Sequence, residues 1–167
     1  MNIQFYLEKL HDSDNFKNFV KENSDAYFCS GFFVIDKEGK DNKIHLDYFL
    51  PKERKIISFQ VEEEIQQVPV EIFDKRIPEK ISINQDFEFE DIEMLINDEM
   101  EKQGVKNKIQ KIIISLQNLK GRDFLVVTVF VSMLGILKIN ISLSDKKVVS
   151  FEKKSFFDIM NVLKKKK

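Results

Sequence analysis

The chain holds one cysteine, no tryptophan, five glycines and three prolines in 167 residues. A lone thiol excludes a disulfide framework and any cysteine-rich zinc or iron–sulfur site. So few glycines leave no glycine-rich phosphate loop. An excess of one charge is missing as well. The 27 bases nearly cancel the 28 acids, and the pI is near 6.2. That balance argues against a nucleic-acid partner, whose footprint is strongly basic. Long apolar runs are also absent. The longest uncharged one, Phe124 to Leu137, spans 14 residues, and a membrane helix needs about 20. Its β-branched and aromatic content reads as buried strand. The N-terminus lacks a basic stretch followed by an apolar core, so no signal peptide is read. The expected location is cytoplasmic, where a free thiol needs no partner.

What is present is the composition of a globular protein, 43% hydrophobic and 33% charged, with sixteen phenylalanines as the one excess. Ile3, Tyr6, Leu7 and Leu10 repeat at helical spacing. His11-Asp12-Ser13-Asp14 interrupts them, and Ser13 or Asp14 suits the cap of a second short helix bearing Phe16, Phe19 and Val20. The period then falls to two. Tyr27 to Asp36 and Lys43 to Leu50 read as a hairpin around a polar turn, with Lys55 to Val61 as a third strand. Pro69 and Pro78 make residues 65–80 a junction, with Val68 to Phe73 at best an edge strand.

The order then repeats. Phe89 to Gln103 is an amphipathic helix stopped by Gly104. Strands are expected at Ile109 to Leu116, Asp123 to Ser132, Ile136 to Leu143 and Lys147 to Glu152. Ser155 and Asp158 frame a capping box before a final helix lined by Phe156, Ile159, Met160 and Leu163. Lys55 to Gln60 also matches Lys147 to Glu152 at an offset of 92, and Phe32 to Ile35 matches Phe124 to Val127 at the same offset. These matches leave open an internal duplication. The fold expected is α+β, with helices packed on antiparallel sheet in two helix-then-meander halves, 1–80 and 81–167. Whether they share one core stays open.

Helix, then meander, twice over, resembles the small helix-plus-sheet modules of the cystatin-like and PepSY kind in tandem. The resemblance is one of layout and rests on no signature motif. It implies binding or inhibition more than catalysis.

Candidate chemistry is sparse. Cys29 and His45 are a nucleophile and a base by type. A hairpin pairing Asp36 with Lys43 separates them by five residues along the strands, roughly 17 Å. It also places Cys29 with Phe33, Leu46 and Tyr48, and His45 with Asp47 on the other face. His11, Asp12 and Asp14 are metal-ligand types without a completing shell. No catalytic residue, metal or cofactor is therefore assigned. The clearest electrostatic feature is Asp86 to Glu101, with eight acids and no base, against a net +5 from Asp145 to Lys167. Late acids oppose the helix dipole and repel at i, i+4. That face, with Glu90, Glu93, Asp98 and Glu101, is a candidate interaction surface. The apolar turn Met133-Leu134 is another, suited to a dimer contact.

The leading expectation is a non-enzymatic module that binds a protein or peptide and forms a homo-oligomer. One alternative is a small hydrolase or metal-assisted enzyme using His11 and His45 with nearby aspartates. Another is a peripheral membrane protein anchored by the basic C-terminal helix. Nucleic acid and membrane are the less favoured partners.

Overall fold

The computed structural model describes residues 2–70, 76–82 and 87–155. Asn2 starts the first helix, its side chain accepting the Phe5 N–H at 3.0 Å. α1 (Ile3–Asp12) runs through His11 and Asp12, and the break falls at Ser13. Of the two candidate caps the structure uses Ser13, whose hydroxyl accepts the Phe16 N–H at 3.2 Å and opens α2 (Asp14–Glu22). Four strands follow: β1 (Tyr27–Asp36), β2 (Lys43–Leu50), β3 (Lys55–Gln60) and β4 (Gln66–Val70). Then come α3 (Phe89–Lys102), β5 (Ile109–Leu119), β6 (Arg122–Val131), β7 (Gly135–Ser142) and β8 (Lys147–Ser155). Gly104 stands just past α3 with φ +68, the left-handed residue that lets a helix stop.

The architecture is α+β, and the eight described strands join one antiparallel sheet in the order β4-β3-β2-β1-β5-β6-β7-β8. Two meanders therefore meet at the β1–β5 seam, where Ser30–Asp36 pair with Lys111–Gln117. The offset of 92 lays β2 over β7 and β3 over the start of β8. It thus runs one strand out of step with a helix-first equivalence, which would lay β1 over β5. The described residues of the 65–80 junction are tied to the sheet. Gln66–Val70 form an edge strand that carries Pro69 opposite Ile57. The Tyr27 hydroxyl donates to the Pro78 carbonyl at 2.8 Å, and the fully buried Ile81 donates its N–H to Phe28 at 2.9 Å. The basic C-terminal helix expected over 156–167 lies outside the described residues, as does Phe73.

Period-two alternation sends one set of side chains to the helices and the other away from them. The helix side holds Phe33, Leu46, Phe59, Ile114, Val127 and Ile139, each at most 1% exposed, beneath Ile3, Leu7, Leu10 and Ile96. Phenylalanine fills the contact with α2, where the rings of Phe16, Phe19 and Phe59 meet at 5.0–5.9 Å. No described helix is long and apolar enough to cross a membrane.

The first hairpin corrects the sequence register. Val34, not Asp36, pairs with Lys43. The Asp36 carboxylate instead accepts the N–H groups of Glu38 and Gly39, and its own N–H is held by the Asn42 side chain. These local bonds widen the turn at the expense of two ladder pairs. A bulge between Phe28 and Ser30 then shifts parity, so Phe28 takes the helix-side position and pairs with Tyr48. Cys29 falls in the bulge. It is buried, but outside the helix-side cluster.

Candidate functional site

α1, α3 and the β1–β2 hairpin converge at one end of the sheet. Asn2 bridges to Glu88, tying the starts of both helices together. Lys37, just past β1, meets Glu93 of α3 at 2.6 Å. Lys9 of α1 donates to the Glu62 carbonyl after β3. Between these ties lies a cavity of about 370 Å³. Its floor is apolar, with Ile35, Ile44, Val61 and Phe89, and its rim carries Tyr6, Lys37, Asn42, Glu62, Glu90 and Glu93. A mostly apolar cleft with a few converging polar groups, in the range of roughly 300–1,000 Å³, is the usual form of a ligand site.

Glu62 divides this cavity from a second one of about 230 Å³, lined by Asn42, Lys43, His45, Gln60 and Glu62. Its carboxylate accepts the Ile44 N–H at 2.9 Å and stands 3.6 Å from His45 Nε2. That is an ion-pair distance, too long for a proton-relay hydrogen bond. Burial, and then the negative charge of Glu90, raise the Tyr6 phenol above its ordinary value, so the hydroxyl at the rim keeps its proton.

The residues singled out from the sequence fall in separate places. Glu90 and Glu93 line the first cavity, whereas Asp98 and Glu101 lie exposed on later turns of α3. Met133 and Leu134 sit at the β6–β7 turn, 90% and 58% exposed, with φ of 64° and 59°. Two non-glycine residues in the left-handed region store about 1–2 kcal/mol each. Gly135 follows because a Cβ there would meet Val131 Cγ2 at 2.6 Å. The histidines lie on opposite faces of the sheet. His11 contacts the Tyr48 hydroxyl at 2.9 Å and stacks on Phe16 on the helix side, where burial lowers its pKa despite Asp12. His45 lies on the other face, opposite Phe32. No single site can hold both. The Cys29 thiol, pushed up to about 12 chiefly by burial, donates to the Asp47 carbonyl. Among the described residues no group of three or more metal-ligating side chains forms.

Asp47 sits beside this region on the face away from the helices. It accepts the Ser30 hydroxyl at 2.9 Å and is also held by Ser58. Burial raises its pKa, outweighing the lowering by the two serines and by His45. The folded chain therefore keeps a proton on Asp47 more readily than the unfolded chain does. Its contribution to stability is lost as pH rises from the unfolded value of about 4 through the higher folded value. Asp47→Asn removes that loss. Its melting temperature relative to the native chain should rise between about pH 4 and pH 7. A difference that stays flat across that range would refute the assignment.

Glu62 and Tyr6 were not singled out from the sequence. Glu62 is one of three consecutive glutamates after the third strand, and Tyr6 reads as one more position of a helix stripe. Only the helix–sheet packing brings them to one rim.

No protein-family model matches the chain, and no curated protein matches it. Among solved structures, the crystal structure of a "putative lipoprotein" from Clostridium difficile 630 is similar. It aligns with a TM-score of 0.50 at 10% identity, over 84% of this chain and 91% of that one. At that identity the likeness is one of fold alone.

Proposed function

We propose that the protein is a non-catalytic binding module that holds a basic, amphipathic peptide segment of a partner protein. The observation that supports this is the cavity between α1, α3 and the β1–β2 hairpin, with an apolar floor and, on its rim, Glu62, Glu90 and Glu93 against Lys37, which is paired with Glu93. The floor takes apolar side chains, and the rim favours a cationic group and disfavours an acid. Asp98 and Glu101 extend the same charge along α3 and would steer a basic segment toward it.

An amphipathic Leu/Lys peptide, followed by fluorescence anisotropy, tests this reading. It should bind, bind more weakly with added salt, and lose binding when its lysines become glutamates. The Glu62→Gln/Glu93→Gln double variant should weaken binding by about tenfold, the scale of two partly exposed charge contacts. Equal binding of the Lys and Glu peptides would refute it.

A further inference from the structure

The described helices cover only one face of the sheet. The apolar residues buried on the other side, Val34, Phe49 and Ile136, belong to no part of the helix-side cluster. On the inner strands β1, β5 and β6, the middle of the face turned away from the helices is formed by residues 30, 32 and 34, then 113, 115 and 117, then 124, 126 and 128. None of the nine is charged, in a chain that is one-third charged overall. They include Phe32, Ile113, Phe124 and Val126. Charge returns only around them: Asp36 and Lys111 at one end, Arg122 at the other, His45 and Asp47 on β2, and Lys138 on β7. An uncharged centre inside a charged border is the anatomy of a protein interface.

We infer that this face packs against the same face of a second copy of the chain. Eight strands about 4.8 Å apart, each roughly eight residues long, give the whole face, charged border included, a footprint on the order of 1,000 Å². A standard interface needs about 800 Å² from each partner. Association by strand addition is closed off at both edges. β4 carries Pro69 and is exposed throughout, and β8 is bulged opposite Asn140–Ile141 and carries Lys147, Glu152, Lys153 and Lys154. Two extended sheets meeting face to face bury their uncharged centres together in a layer about 10 Å thick.

Size-exclusion chromatography with light scattering on the full chain tests the inference. The expected mass is twice the 19.8 kDa of one chain. Val126→Lys and, separately, Ser115→Lys place a charge in the centre and should each give the monomer mass. Circular dichroism of both variants establishes that they stay folded, and Ser115→Lys removes no apolar group. Exposed Glu101→Lys on α3 should leave the dimer intact. A native chain that stays monomeric at all concentrations overturns the inference, as does a dimer that folded variants do not weaken. A monomer that dimerises only once residues 156–167 are deleted also overturns it, and assigns the face to the chain's own C-terminal segment.

Discussion

Phe59→Ala is expected to remove about 3–5 kcal/mol of stability, the range for truncating a fully buried phenylalanine. Phe59 is 0% exposed, and its ring meets those of Phe16, Phe19 and Tyr48 at 5.4, 5.0 and 5.8 Å. Two losses combine there. Apolar area returns to water, and edge-to-face ring contacts worth about 0.5–1.5 kcal/mol each disappear. The cavity left behind cannot close easily, because α2 and β3 are each held by further contacts. Its effect reaches beyond β3, since α2 has nine residues and a helix that short has little stability without its packed face. For a chain of this length the melting temperature should fall by about 10 °C. Urea denaturation checks it, with the midpoint lowered and the slope unchanged. A loss below about 1 kcal/mol would mean that the α2 phenylalanines do not pack on β3.

Cutting the chain between residues 80 and 81 is expected to leave neither piece cooperatively folded. The seam between the meanders is seven residue pairs long. Its β5 side includes Ile112, Ile114 and Leu116, all fully buried. Separation turns β1 and β5 from central strands into open edges with apolar side chains and unpaired backbone groups. It also takes Ile81 from beside Phe28, where its backbone N–H is bonded. Near-UV circular dichroism and thermal melting of the two fragments, alone and mixed, measure this. Mixing should restore a transition. A fragment that melts cooperatively alone, near the temperature of the intact chain, would show that the halves are independent.

The elements themselves were readable because their signals are local. Alternation in Tyr27 to Asp36 and the 3.6 period from Phe89 onward each depend on residues a few positions apart. The first hairpin shows where such reading stops. Counting back from the turn pairs Asp36 with Lys43, but the Asp36 carboxylate captures backbone N–H groups of the turn and moves the pairing by two. The bulge beside Cys29 then shifts the faces again, and nothing in Phe28-Cys29-Ser30 announces it. The site was partly legible. Glu90 and Glu93 stood out as members of an acidic run, and they do line the cavity. Glu62 and Tyr6 carried no such signal, since each acquires its place from packing between elements far apart in the chain. Met133 and Leu134 were conspicuous as an apolar turn, and they are exposed.

By itself the sequence determined the α+β class, the helix-then-strands order and the phenylalanine-rich core, because hydrophobic period and turn chemistry act over a few residues. Only the tertiary structure decided that both meanders join in one sheet. It also decided that His11 and His45 are separated by that sheet, and that Tyr6, Lys37, Glu62 and Glu93 share a rim. Those outcomes turn on the pairing of β1 with β5, about 80 residues away, and on which face the helices cover. Alternation within a strand is the same whichever strand lies beside it, so neither choice is written in any local pattern.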